Sequence, residues 1–282
     1  MTDAPEPGIY EDVPQQTYRA WNAMNYSRLK HMARSAEDYH YAVTHPKPPN
    51  EGMRLGSAVD TLIHEPHEWE RLYYVAAKAD RRTKAGKEAA AKAEEQAGGR
   101  EVISAADEAL ARRCAEAVQS HAAAASLLAR GRAQVCVVWH DEETNILCKA
   151  RLDWVTELEL VDLKSDKDAE VHGFAAAGVS YGYPLQTSMY HDGWLAVTGQ
   201  SLPFTLIVVQ NNPPHKVRVR TLGARSIQAG RQAYRQALND LVVCQRRGVW
   251  KEPEVIETFE WPNWYLLQMG VGLPRDDEEI AI

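Results

Sequence analysis

The chain has 282 residues, 45% of them hydrophobic, with 32 Lys and Arg against 39 Asp and Glu for a formal net charge of −7. That balance argues against a surface uniformly coated in nucleic acid, and no apolar run approaches the roughly 20 residues that a membrane helix needs. Cys114, Cys136, Cys148 and Cys244 are scattered without a C-x-x-C pair, which points away from zinc, iron–sulfur and disulfide frameworks and toward buried, reduced thiols.

The elements are predicted in chain order. Residues 1–20, beginning MTDAPEPGIYEDVPQQ, are acidic and proline-rich, unlike a signal peptide; they are expected to be a flexible segment of a cytoplasmic protein. NYSRLKHMARSAEDYHYAV reads as a helix capped by Ser27 and ended by the prolines of THPKPPN. LGSAVDTLIHEPHEW reads as a second helix, interrupted by Pro66. After the basic stretch DRRTKAGK come two Ala-rich helices, 87–97 and 104–130, parted by Gly98-Gly99 and forming a helical insertion. The texture then changes. QVCVVWH, NILCKARLDWV, LELVDLKS, FTLIVVQ and KVRVRTL have the β-branched content of strands, with DEETN as a hairpin turn, and helices return near 167–177, 182–198 and 224–247. This order predicts an α/β (α+β) domain over residues 21–265 with an N-terminal helical part, followed by an acidic tail, 266–282.

Charge is unevenly distributed. Between residues 201 and 251 the only acidic residue is Asp240, against nine basic ones that include Arg218 and Arg220. A second basic cluster holds Arg81, Arg82, Lys84 and Lys87. Each alone reads as a solvated helix face; together, in an acidic chain, they point to a polyanionic partner.

The chemistry concentrates in KARLDWVTELELVDLKSD. Side chains at i and i+2 of a strand share a face, so Asp162 and Lys164 point the same way while Leu163 points oppositely. If the preceding strand lies antiparallel, Asp153 meets Asp162 across the ladder. Two carboxylates in a partly buried place repel and take up a proton unless a cation lies between them. A hard divalent ion resolves that conflict with oxygen ligands. The bland alternative is a surface hairpin with an Asp–Lys salt bridge.

The succession of NYSRLKHMARSAEDYHYAV, MRLGSAVDTLIHEPHEW, DRRTKAGK, CKARLDWV, VDLKS and YPLQTSMYHDG over about residues 20–215 resembles the PD-(D/E)XK nucleases. Within them it is similar to the prophage RecE (exonuclease VIII) type of exonuclease. The resemblance implies a restriction-endonuclease-like core, a central mixed sheet flanked by helices with a metal held at one edge. It implies a Mg²⁺-dependent enzyme, with Mn²⁺ as a substitute, that digests linear double-stranded DNA 5′ to 3′ in phage-type recombination. The implied partners are DNA with free ends, a single-strand annealing protein of the RecT type and further copies of the chain in a ring. Carried onto this sequence, Asp153 and Asp162 become metal ligands together with the Leu163 carbonyl, and Lys164 becomes the catalytic lysine. Gln186 and Tyr190 match the family's Q-x-x-x-Y element, one helical turn apart; a polar pair capping a buried helix is the competing explanation. The family's G-x-x-x-H motif stands here as GSAVD, with Asp60 in place of a ligating histidine and His64 one turn further on. Asp60 is the expected ligand of the two. That departure leaves two alternatives open: a structure-selective endonuclease on the same fold, and a catalytically weakened DNA-binding or assembly protein.

Overall fold

The computed structural model describes residues 2–77, 79, 80, 82–251, 254–256 and 258–272, and divides the chain into two units, Met1–Trp250 and Lys251–Ile282. In the first unit the chain runs β1 (Gly8–Tyr10), α1 (Gln15–Ala20), α2 (Tyr26–Met32), α3 (Ala36–Thr44), α4 (Glu51–His64), α5 (Trp69–Leu72), β2 (Tyr73–Ala76) and α6 (Lys84–Ala97). It continues through β3 (Glu101–Ser104), α7 (Ala105–Ser120), α8 (Ala122–Leu128), β4 (Arg132–His140), β5 (Leu147–Val155) and β6 (Leu160–Asp166). The last elements of this unit are α9 (Val171–Tyr181), α10 (Tyr183–Thr198), β7 (Phe204–Gln210), β8 (Val217–Thr221) and α11 (Ala224–Arg247).

Six strands form one mixed sheet in the order β1-β4-β5-β6-β7-β8. The pair β6–β7 is parallel, so the chain must cross over between them, and it does so through α9 and α10. Strand β7, FTLIVVQ, is apolar on both faces because helices cover both. Leu160, Phe204, Leu206 and Val208 face one core layer with α2, α10 and α11; Val161, Leu163, Ile207 and Val209 face the other with α4 and α7. Asp162 and Lys164 therefore share the face of Leu160, as their spacing requires. Two glycines set how closely α10 is held. A Cβ on Gly193 would lie 2.7 Å from the Trp139 ring of β4, and one on Gly230 of α11 would lie 1.9 Å from the Pro184 carbonyl oxygen. A side chain at Gly193 would push α10 away from the sheet, and one at Gly230 would push α10 and α11 apart.

Several expectations need correction. The N-terminal segment is not loose: β1 pairs antiparallel with β4, and Lys149 of β5 donates from Nζ to the carbonyls of Tyr18 and Trp21, both at 2.7 Å. The first long helix is two helices. Asn25, not Ser27, caps α2 by accepting from the Arg28 N–H, and Ser35 starts α3 by accepting from the Asp38 N–H at 3.0 Å. The helical insertion also contains a two-stranded parallel sheet of β2 and β3. The carboxylate-bearing strands β5 and β6 are the middle pair of the large sheet, not its edge.

In the second unit, Asn263–Gln268 forms a short helix, α12, and Phe259 packs edge-on against Trp261 with ring centroids 5.1 Å apart. Residues 273–282 of the expected acidic tail lie outside the described residues. Among the described residues no helix is long and apolar enough to cross a membrane.

Candidate active site

Strands β5 and β6 pair only at Trp154↔Val161 and Val155↔Leu160, and then part. In the fork, the Leu163 N–H donates to Asp153 Oδ2 at 2.9 Å, so a side-chain carboxylate takes the place of a main-chain acceptor. Across from it, Asp162 is 1% exposed, and Lys164 Nζ lies 2.5 Å from its Oδ2. Asp162 Oδ1 is buried without a hydrogen-bond partner. The Lys164 ammonium also sits 4.7 Å from the centre of the Tyr183 ring at the start of α10.

The charges explain one another. Burial, then Asp162 and Asp60, push the Asp153 carboxyl well above the usual carboxylate range. Burial works against the Lys164 ammonium, but Asp162 and Asp153 outweigh it and raise its pKa, so the lysine is held charged. Two carboxyl groups and one ammonium thus share a desolvated place in which the second negative charge is disfavoured until a further cation offsets it. An unpartnered carboxylate oxygen beside a carboxyl group that ionises only with such help is the donor chemistry of a hard divalent cation, and the residues present fit one.

The other expected residues fall in three groups. Gln186 and Tyr190 are buried on α10; Gln186 Oε1 has no hydrogen-bond partner, and burial raises the Tyr190 hydroxyl pKa, with Asp162 and Lys164 among its charged neighbours. Asp60 on α4 is near enough to raise Asp153, yet both its oxygens are engaged: His64 Nδ1 lies 2.7 Å from Oδ1, and Gln134 Nε2 donates to Oδ2 at 2.8 Å. Among the described residues no three His, Cys, Asp or Glu side chains converge as a ready ligand cage. The carboxylate pair of the fork is thus the nucleus of the candidate site.

The basic candidates are not gathered at the fork. Arg218 pairs with Glu170 at 2.8 Å, and Arg220 donates to the Ala169 carbonyl at 2.6 Å, so both brace the loop before α9. Arg82 pairs with Asp80 at 3.0 Å beside a cleft of about 360 Å³ between α4, α6 and the small sheet. Lys84 and Lys87 begin α6, and Arg81 lies outside the described residues. Sequence reasoning missed Gln134 and Tyr183. A lone amide at the head of the apolar run QVCVVWH was the available signal for Gln134, but its partner depends on where α4 packs.

A family described as a PDDEXK-like domain of unknown function, DUF3799, matches residues 25–260. The chain belongs to this family. The match takes in every element from α2 to α11, including the fork. The crystal structure of a candidate exonuclease from Eubacterium rectale aligns with a TM-score of 0.61 at 13% identity, covering 94% of this chain and 100% of that one. At that identity the likeness is one of fold, and it is the nuclease fold of a mixed sheet between helical layers. No curated protein matches the chain. For a PDDEXK-like domain, the acidic fork with its lysine on β6 is the expected seat of chemistry.

Proposed function

We propose that this PDDEXK-like domain is a metal-dependent deoxyribonuclease that degrades linear double-stranded DNA from its ends, 5′ to 3′, in phage-type recombination. The observation that carries the reading is the buried Asp162, with one oxygen on Lys164 and the other without a partner, facing Asp153 across the strand fork. Asp153, Asp162 and the Leu163 carbonyl would hold Mg²⁺ or Mn²⁺, with Asp60 on the outer side. Such an ion, when bound, polarises a phosphoryl oxygen and offsets the charge that develops during hydrolysis.

The chain's own groups supply the rest. Lys164 stays protonated, so it serves as a hydrogen-bond donor to a phosphate oxygen or to the attacking water rather than as a proton acceptor. Tyr183 and Asp162 fix its ammonium. Gln186 and Tyr190 offer polar atoms from α10 toward the same place. Tyr181, 55% exposed with its ring 5.7 Å from that of Tyr183, offers a stacking face for a base next to the bound phosphate. Basic residues of α6 and β8 would track the phosphates, which makes binding salt-dependent. A RecT-type annealing protein, ring assembly and a location in the bacterial or phage-infected cytosol follow from the sequence resemblance. A structure-selective endonuclease would use the same fork.

The test is incubation of the protein with linear and with closed circular double-stranded DNA in Mg²⁺, Mn²⁺ or EDTA. Loss of linear DNA alone, in metal alone, with release of mononucleotides, is the expected result. Cutting of the closed circle replaces the exonuclease with the endonuclease. Intact DNA in every metal, with binding retained, would mean that the chain holds DNA without cutting it.

A further inference from the structure

We infer that Gln134 and His64 are positioning residues that clamp Asp60 as an outer carboxylate of the cation site, an inference that rests on the reading of the fork given above. Gln134 is 7% exposed and has a φ of 51°, a left-handed conformation that L side chains adopt at a cost. The β4–β5 register pairs Ala133 with Trp154 and Val135 with Leu152 and passes over the two residues between, Gln134 and Asp153, which stand opposite each other. Glycine would fill such a backbone position without strain. Glutamine returns something only through its side chain, and that side chain reaches Asp60 Oδ2 at 2.8 Å.

The second jaw is equally fixed. His64, 6% exposed, sits one turn beyond Asp60 on α4, with Nδ1 2.7 Å from Oδ1. Its ring stacks on Trp154, centroids 5.8 Å apart, and the Trp154 indole N–H donates to the Leu127 carbonyl at 3.2 Å. The imidazole therefore has little room to turn. A carboxylate has about four lone-pair sites, and the clamp uses one on each oxygen. The Asp60 side chain keeps 29% of its surface exposed, so it is oriented without being sealed. Gln134 stands opposite Asp153 in the β4–β5 register, so the clamp holds Asp60 from a position beside the fork. Residues that orient a ligand in this way typically alter metal affinity by about 10- to 100-fold.

The experiment measures Mn²⁺ binding to the DNA-free protein by calorimetry, together with thermal unfolding, for the wild type, Gln134→Gly, Gln134→Met and His64→Gln. Gln134→Gly relieves the backbone and removes the amide. It should unfold at the same or a higher temperature yet bind Mn²⁺ about 10-fold more weakly. Gln134→Met should weaken binding similarly, and His64→Gln, which retains a donor, should bind Mn²⁺ more tightly than either Gln134 variant. Unchanged Mn²⁺ affinity in Gln134→Gly and Gln134→Met overturns the clamp. A wild type that binds no Mn²⁺ overturns both the clamp and the cation site. Gln134-dependent binding in a protein that cuts no DNA leaves the clamp standing and removes the nuclease reading.

Discussion

Lys149 and Lys164 lie on adjacent strands of one sheet with little of either side chain exposed, and they meet opposite surroundings. Lys149 is 2% exposed and spends its protons on main-chain carbonyls at the end of α1, with the Tyr18 ring 4.7 Å away. Among the described residues it has no carboxylate within ion-pair distance, and burial, with Arg28 nearby, pushes its pKa down to about 8. Lys164 is less deeply placed, its side chain 11% exposed, yet Asp162 and Asp153 raise its pKa. Burial does not make a lysine chemical. What decides the role is whether the counter-groups are neutral dipoles that are satisfied, or charges that leave a remainder for a ligand to complete.

Replacing each member breaks the comparison in a different way. Lys164→Ala should have the largest effect, a loss of about 10³-fold or more in DNA cleavage with binding of a DNA duplex retained. Nuclease assays beside filter binding would show it, and full activity in the variant would sink the site. Asp153→Asn should separate function from stability. The amide oxygen can still accept from the Leu163 N–H, while a buried like charge disappears. The raised pKa of Asp153 means that its contribution to stability is present below the unfolded value of about 3.8 and lost as pH rises through the folded one. Removing the charge should therefore stabilise the fold by about 1 kcal/mol near neutral pH while abolishing hydrolysis; denaturant midpoints would register the gain.

Lys149→Met should do the reverse, leaving the fork untouched and costing about 2 kcal/mol through buried carbonyls without donors. Its pH dependence sharpens the contrast. The depressed pKa gives Lys149 a contribution that is complete above the unfolded value of 10.5 and lost as pH falls through about 8. The stability gap between wild type and Lys149→Met should thus widen by about 1 to 3 kcal/mol between pH 8 and 10.5. Lys164 carries the opposite sign, its contribution being present below 10.5 and lost as pH rises through its folded value. Smallest is Tyr181→Ala, which should weaken DNA binding by about 1 kcal/mol without changing hydrolysis of a small nitrophenyl phosphodiester. A parallel loss on both substrates would deny it a role in stacking.

The chemical hairpin was legible because strand geometry is local. The alternation that puts Asp162 and Lys164 on one face, the turn at 141–145 and the position of Asp153 opposite Asp162 follow from a period of two, and β7 and α11 stand at the bounds their residues predict. The remainder depends on contacts remote in sequence. Three residues, Gly8–Tyr10, carry too little pattern to announce a strand, and β2 and β3 are four residues each. Asn25 and Ser27 are both competent caps, and only the packing of Tyr26 and Leu29 in the core selects the first. Gln134 in a Val-rich run gives no sign of a left-handed backbone, since its reason lies on α4.

The short strand β1 also bears on how the protein behaves in concentrated solution. It lies along β4, whose residues Gln134–Trp139 are buried. With β1 gone, β4 would become an apolar outer strand with open main-chain donors and acceptors, a template on which another chain can add. Loss of the first dozen residues would then show itself as self-association into aggregates well before it showed as a lower melting temperature.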